Sequence, residues 1–422
     1  MERELLLGSF RAALRAADPL HIVAQHLPRP PRGRTVVIGA GKAAASMASA
    51  VELHWPADKP LEGVVVTRYG HGLPTKRIEV IEASHPVPDE AGEKAARRIL
   101  DVAAGLSAED LLLVLVSGGG SALLSLPADG VSMADLKAVT RELLACGAPI
   151  EDINTVRKHL SRIQGGQLAA ATRATVCALI ISDVTGDDPT HIASGPCAPD
   201  PTTYADALAV LRRFGVHAPA AVEARLRKGA AGGEPETPKP GDPAFARTEN
   251  HVIATAHASL MAAATFVRER GVTPVVLGDS VTGEASEVAK VYAALAREVR
   301  LHRQPMPAPI ALISGGETTV TLHGKGRGGR CTEFLLSLAV ALDGQERTWA
   351  IACDTDGIDG SQDNAGAILT PDALARARSR GVEGKELLVD NDGYGFFSVL
   401  GDLVVTGPTR TNVNDFRSIL VL

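Results

Sequence analysis

A chain of 422 residues is too long for one core, and roughly two or three domains are expected. An apolar fraction of 45% fits a soluble protein with a large interior, while 3% aromatics and a net charge of -6 argue against base stacking and a generic polyanion partner. Five scattered cysteines without a C-x-x-C pair, an N-terminus unlike a signal peptide and the lack of any apolar run near 18–20 residues point away from disulfides, secretion and a membrane span. A cytoplasmic protein that contacts neither nucleic acid nor membrane is expected.

Residues 2–27 read as one helix, with Leu6, Phe10, Leu14, Ile22 and Val23 near helical spacing and a bend at Pro19. After a Pro-rich break, Thr35 to Ile38 form a buried-type strand that runs into Gly39-Ala40-Gly41-Lys42 and an alanine-rich helix. Gly39-x-Gly41-x-x-Ala44 matches a loose dinucleotide fingerprint. However, the next strand, Gly63 to Arg68, ends without the acidic residue that would hold a ribose hydroxyl. An anion site with Lys42, a dinucleotide site and plain strand–helix packing all stay open. His85, before Pro86, sits in extended or turn backbone and fits a surface residue better than a catalyst. Residues 90–104 read as a helix.

The run Leu111 to Val116 reads as a central parallel strand covered on both faces, with Ser117-Gly118-Gly119-Gly120-Ser121 at its carboxyl end, where open α/β sheets bind ligands. Gly-x-Ser-x-Gly is absent, which argues against a serine hydrolase. Residues 133–146 form a helix, and another follows Pro149. Asn154, Arg157, Lys158 and Ser161 share one face of that second helix, as a ligand face or a solvated one. Ala178 to Ser182 is a strand ending in Asp183, Asp187 and Asp188; such acids suit a hard cation or the capping of a turn. Residues 228–243 lack apolar period and read as an exposed linker.

Beyond that linker, strands are expected at 251–255 and 274–278, and a helix at 284–300. The strand Ile310 to Ile313 runs into Ser314-Gly315-Gly316-Glu317, and a second strand leads to the glycine loop holding Lys325, Arg327 and Arg330. Glycines let backbone N–H groups turn toward an anion, and a guanidinium fork matches a carboxylate or phosphate. A flexible basic hairpin would look the same. A helix from Thr332 to Leu342 follows. Trp349 to Cys353 is a strand ending in Asp354, Asp356 and Asp359, and the polar segment 404–416 ends the pattern.

In order, these segments resemble the class II glycerate kinases, whose second domain is called MOFRL. The matching motifs are Gly39-Ala40-Gly41-Lys42-Ala43, Ser117 to Ser121, Asn154-x-x-Arg157-Lys158-His159-Leu160-Ser161 and Ser182-Asp183-Val184-x-Gly186-Asp187-Asp188. Ile192 to Pro196, Ser314 to Thr319, Asp356-Gly357-x-Asp359-Gly360 and Thr411 to Asp415 continue the series over nearly the whole chain. The sequence departs from the family's usual residues at Cys197, Cys331-Thr332 and Arg410, which bears on fine substrate preference and leaves the reaction class alone.

The resemblance implies an α/β protein of two domains. The first, 1–235, would be a Rossmann-like three-layer α/β/α domain with a largely parallel sheet. The second, 245–422, would be a MOFRL-type α/β domain, with parallel sheets in both and the active site in the cleft between them. It implies ATP-dependent phosphorylation of D-glycerate at the 2-hydroxyl, with Mg²⁺. Lys42 and Arg330 fall on the family's catalytic positions. Asp183 is the expected proton acceptor, with Asp356 the runner-up. The expected ligand-binding residues are Ser117, Gly118, Gly119, Gly120, Ser121, Asn154, Arg157, Lys158, Ser314, Gly315, Gly316, Glu317, Lys325, Asp356, Asn412 and Asn414, with Asp187 and Asp188 at the metal. A homodimer is admitted. Some members carry the label hydroxypyruvate reductase, so an NAD(P)H-dependent reductase is the alternative.

Overall fold

The buried apolar runs of the first half are neighbouring strands in the computed structural model, which describes residues 1–422. They are β1 (Thr35–Ala40), β2 (Leu61–Arg68), β3 (Ile78–Ala83), β4 (Leu111–Val116), β5 (Thr175–Ile181) and β6 (Thr248–Ala254), in the order β3-β2-β1-β4-β5-β6. Every pairing among β1 to β5 is parallel. All six residues of β4 are buried, because helices cover both faces of a parallel sheet and leave no polar side to alternate with. The helix Ala44–His54 buries seven of its eleven residues, mostly alanines that allow close approach to the sheet. The helix Glu90–Ala104 turns Ala95, Ala96, Ile99 and Ala103 inward, and the Asp89 carboxylate caps its start by accepting from Gly92 N at 3.0 Å. A satellite core joins the helices Met133–Ala145, Ile150–His159, Tyr204–Arg213 and Ala220–Ala230 through Leu136, Val139, Val156, Tyr204 and Leu226.

The segment expected as an exposed linker is tied down instead. Glu236 accepts from Tyr204 N at 3.0 Å, and its other carboxylate oxygen lies 3.2 Å from His159 Nε2. Thr237 Oγ1 donates to Asp200 at 3.0 Å, and Asp200 N donates to Pro238 O at 2.9 Å. Asp200 is fully buried and faces the equally buried Lys158 ammonium at 3.4 Å. Burial pushes the Asp200 carboxyl up, but Lys158, Thr202 and His159 outweigh it and hold the group below its ordinary value. A Pro- and Gly-rich composition reads as slack chain; here the polar residues within it satisfy a buried ion pair.

The second sheet contains β7 (Thr273–Gly278), β8 (Ile310–Ser314), β9 (Thr348–Asp354), β10 (Gly366–Leu369), β11 (Leu403–Val404) and β12 (Asp415–Val421), ordered β11-β10-β9-β12-β8-β7. Only β7 and β8 run parallel; the other pairings are antiparallel, so the sheet is mixed where a parallel one was expected. The cause is β12. It lies between β8 and β9, antiparallel to both, and all seven of its residues are buried although it carries Asp415, Arg417 and Ser418. The second strand expected after Ser314 does not form; residues 315–329 are loop apart from a bridge between Thr319 and Glu284.

The opening helix stops at Ala16, because the residue before Pro19 is pushed out of helical backbone, and short turns of helix follow at Pro19–Ile22 and Val23–His26. Leu6, Phe10 and Ala13 pack on Leu260, Ala263 and Val267 of the helix Ala256–Arg268. Gly8 allows that approach, since a Cβ there would meet the Phe266 ring at 2.2 Å. The chain therefore divides into residues 19–253 and a second unit made of 1–18 with 254–422, whereas a single cut near 235–245 was expected. No helix is long and apolar enough to cross a membrane.

Removing one partner of a buried ion pair leaves a charge without compensation. Asp200→Ala is expected to cost about 3–5 kcal/mol, read as a lowered urea midpoint; an unchanged midpoint contradicts the role given to this pair.

Candidate active site

In the unit of residues 19–253, connections from β1 lead toward one edge of the sheet and those from β4 toward the other, so the crevice at their carboxyl ends is a topological switch point. Lys42 follows β1, Ser117 to Ser121 follow β4 and Asp183 follows β5, on three adjacent parallel strands. Three motifs far apart in sequence thus reach one end of one sheet.

The two glycine turns there are bonded to each other. Lys42 N donates to Gly118 O at 2.8 Å, Ala43 N to Ser117 Oγ at 3.0 Å and Gly41 N to Val66 O at 3.1 Å. Gly39 is a glycine because a Cβ would meet Leu115 O at 2.1 Å, and Gly41, at φ +139°, lies against Ser117 in backbone few other residues adopt. The fingerprint around Gly39 is therefore a packing device. Its N–H groups are spent inside the fold, and the buried Ser117 Oγ accepts one of them, a packing use where a ligand role was expected. The N–H groups of Gly118 and Gly119 find no acceptor in the protein, and Gly119 turns at φ +78° with the His85 ring against it. His85 therefore stands beside this loop, where sequence reasoning ranked it as a surface residue.

The helix Ile150–His159 redistributes its expected ligands. Asn154 is buried; its Oδ1 accepts from Ser194 Oγ at 3.0 Å and Arg157 Nη1 at 3.1 Å, and its Nδ2 donates to His191 O at 3.3 Å. Ser194 in turn lies 2.8 Å from Ser121 Oγ, so Asn154 joins this helix to the glycine loop. Lys158 faces inward to Asp200 and is taken out of the ligand set by burial. Neither is the solvated face that the spacing also allowed.

Asp187 and Asp188 behave as turn residues. Asp187 adopts φ +55°, and Asp188 Oδ1 accepts from Thr190 N at 2.8 Å. Burial raises the Asp188 carboxyl, but bonds from Thr190 and the charges of His191 and Lys158 leave it below its ordinary value. The protein holds no group of three or more His, Cys, Asp or Glu side chains able to cage a metal. These acids do not fit a resident ion, and at most each offers an oxygen to a cation carried by a ligand.

In the second unit, the carboxyl ends of β8 and β9 meet the amino end of β12, with Asp415 opposite Asp354 and Arg417 opposite Ser314. Arg330, the first residue of the helix Arg330–Leu342, sends each guanidinium nitrogen to a separate carboxylate. Nε lies 2.8 Å from Asp415 Oδ1, Nη2 lies 2.8 Å from Asp354 Oδ2, and Nη1 pairs with Glu317. Burial alone would lower this guanidinium's pKa; the charges of Asp415, Asp354 and Glu317 reverse that and raise it. Asp415 also faces Arg417, a fully buried arginine whose Nη1 donates to Gly315 O at 2.9 Å and Nη2 to Thr318 Oγ1 at 3.1 Å. That bond, with Gly315 N donating to Gly278 O, fixes the Ser314 to Gly316 turn.

The helix start is held by Asp359, which accepts from Cys331 N and Thr332 N at 2.9 Å each and from Thr332 Oγ1 at 2.7 Å. Burial is the main cause that lifts the Asp359 carboxyl to about 6. The basic glycine loop is not an anion nest: Gly324, Lys325 and Arg327 donate their N–H groups to Asn391, Asp390 and Asp392, and Gly326 to Asp390 O. Its glycines allow contact with that segment, and the Lys325 side chain stays exposed. Asp356 caps its own turn at Ile358 N, 2.9 Å away. Asn412 accepts from Asn414 N at 3.3 Å, while Asn414, at φ +65°, offers its carbonyl to Thr355 Oγ1 at 2.6 Å. Both asparagines therefore shape the loop that delivers Asp415. Sequence reasoning missed Asp354, Asp415 and Arg417 as site residues; the one available signal was an arginine inside the apolar run Phe416 to Leu420.

The chain matches DUF4147, a domain of unknown function, over residues 5–227 and the MOFRL family over residues 310–415. It is 51% identical to an Agrobacterium vitis protein that carries hydroxypyruvate reductase as a provisional name, over 99% of this chain and 94% of that one. It is 39% identical to the D-glycerate 2-kinase of Thermotoga maritima, covering 98% of this chain and 97% of the relative. The crystal structure of a glycerate kinase from the same organism superposes with a TM-score of 0.88 at 38% identity, covering 100% of this chain and 99% of that one.

The three carboxylates on Arg330 differ in exposure, with side chains 54% exposed for Glu317, 6% for Asp354 and 0% for Asp415. Asp415→Ala is expected to cost about 3–5 kcal/mol and Glu317→Gln less than about 1 kcal/mol, read by urea denaturation; equal costs would contradict this ranking. A second prediction concerns Glu333, which burial raises from 4.5 to about 7. Between those values the folded protein keeps a proton that the unfolded chain has lost, so stability falls as pH rises across the window. Glu333→Gln is expected to exceed wild type by about 1–3 kcal/mol at about pH 8, with the difference gone below about pH 4; a pH-independent difference would exclude this cause.

Proposed function

Because the chain belongs to the glycerate kinase family, we propose that it phosphorylates D-glycerate at the 2-hydroxyl with ATP, giving 2-phosphoglycerate and ADP. The observation that carries this reading over a hydroxypyruvate reductase is the bonding of the Gly39 turn. Gly41, Lys42 and Ala43 donate their N–H groups within the fold, which leaves that turn no row of donors for a dinucleotide pyrophosphate. Arg68, where an acid would hold the ribose, argues against NADH and would suit only a 2′-phosphate, so the bonding of the turn carries the distinction.

Phosphoryl transfer asks the protein for position and charge neutralisation more than for covalent chemistry. In this reading the 2-hydroxyl oxygen attacks the γ-phosphorus while its proton passes to Asp183. The bond from phosphorus to the ADP oxygen breaks, and ADP leaves with the electron pair. The Gly118 and Gly119 N–H groups receive phosphate or carboxylate oxygens, and Lys42 lends a positive charge at the same strand ends. Mg²⁺ carried by the triphosphate would supply charge neutralisation there, and Asp187 or Asp188 would each offer it a single oxygen, which leaves Asp183 to the proton.

Arg330 is the second cation that the family resemblance assigns to the transferring group, and its three carboxylates set a condition on that role. To meet an incoming anion it must release one arm. Glu317 is the arm that yields most cheaply, because a solvated carboxylate regains water when displaced and a buried one does not. Five unpaired thiols agree with a cytoplasmic setting.

Purified protein incubated with D-glycerate, ATP and Mg²⁺ is expected to yield 2-phosphoglycerate, resolved from the 3-isomer. Arg330→Ala is expected to lower kcat by at least about 10²-fold. NADH consumption with hydroxypyruvate and no phosphorylated product would overturn the assignment.

A further inference from the structure

A pocket of about 190 Å³ opens in the unit of residues 19–253, beside the glycine loop that follows β4. Its walls are apolar, from Val87, Pro88, Leu136 and Leu144, and three cations, Lys137, Arg141 and Arg157, border it. Ser121, the last residue of the glycine loop, forms part of its lining, so pocket and loop are continuous.

Arg157 sets this pocket apart from an ordinary surface groove. Its guanidinium is partly buried, pairs with no carboxylate, and makes one hydrogen bond, from Nη1 to Asn154 Oδ1 at 3.1 Å. Buried charges in folded proteins are normally paired, because desolvation otherwise goes uncompensated. Burial pulls this group down to about 10, which reports the same lack of compensation. The bonds from Asn154 to Ser194 and from Ser194 to Ser121 hold Arg157 in register with the glycine loop. The arrangement is an apolar slot, a cation kept in wait for an anion, and a loop with N–H groups to spare.

A small acid such as glycerate has no apolar part to fill such walls. A volume below the roughly 300 Å³ of drug-sized pockets suits one ring system. We infer that this pocket takes the base of the nucleotide, with the ribose at its mouth and Arg157 on the phosphate chain as it leads to Gly118 and Gly119. The identity of the nucleotide rests on the kinase reading; the pocket and its unpaired arginine do not.

Titration calorimetry with ADP, adenosine and D-glycerate tests this on wild type, Thr140→Trp and Arg157→Met, with thermal melts to confirm folding. Thr140 lines the pocket on the helix Met133–Ala145, so a tryptophan there would fill it. Where that variant fails to fold, Leu144→Trp on the exposed rim replaces it. Thr140→Trp is expected to weaken ADP and adenosine alike by about ten-fold or more. Arg157→Met is expected to weaken ADP by about ten-fold while adenosine holds, with Arg157→Lys recovering part of the loss. D-glycerate affinity should not move. ADP binding unchanged in both variants, or a loss confined to D-glycerate, overturns the assignment of the pocket while leaving the kinase intact. A wild type that neither binds ADP nor phosphorylates glycerate overturns both.

Discussion

Asp415 lies between two arginines, and the geometry of the second unit follows from that. A carboxylate with no exposure is tolerable only where positive charge and donors surround it. Arg330 and Arg417 supply both, from a helix start and from the same strand. Arg417 then fixes the Ser314 to Gly316 turn through the Gly315 carbonyl, while Asp359 fixes the backbone that carries Arg330. The Arg330 guanidinium is thus placed by groups buried around it. Its charge is secured by the carboxylates around it, so its availability depends on which of them water can replace.

The other unit places its chemistry by topology. A parallel sheet in the order β3-β2-β1-β4-β5-β6 brings the ends of β1, β4 and β5 side by side, whatever occupies the intervening chain. Between β4 and β5 lie nearly sixty residues, and the helix Ile150–His159 among them returns to the same end through Asn154, Ser194 and Ser121. Lys158 anchors that helix by its ion pair with Asp200. Adjacent residues Arg157 and Lys158 are therefore held differently: one bonds only to the Asn154 amide oxygen, and the other pairs with a buried carboxylate.

The glycine-rich motifs differ in what their N–H groups do. Around Gly39 and around Gly324 the donors are consumed within the fold, and the glycines are there because neighbouring backbone or carboxylates come too close for a Cβ. The loop after β4 keeps the Gly118 and Gly119 donors in hand. A glycine states that space is short or that the backbone is unusual; it does not state which, and a sequence window contains no record of the neighbour that makes the difference.

Local pattern determined β1, β2, β4 and β5, the helix Glu90–Ala104 within its limits, and the strand-then-turn placement of Lys42, Ser117 to Ser121 and Asp183, because a period and a buried run are properties of contiguous residues; the strand expected at 251–255 in the second domain is instead β6, at the edge of the first sheet. The order of motifs along the chain was enough to bring the family into view. Tertiary structure alone decided that Lys158 faces inward, that residues 234–239 close over a buried ion pair, and that the first helix packs with the last half of the chain. It alone decided that β12 is a central strand, since its Asp415–Arg417 pair is completed there by distant partners, Arg330 for Asp415 and the Gly315 carbonyl for Arg417. Burial of a charge is set by what surrounds it, and what surrounds it is chosen by the fold.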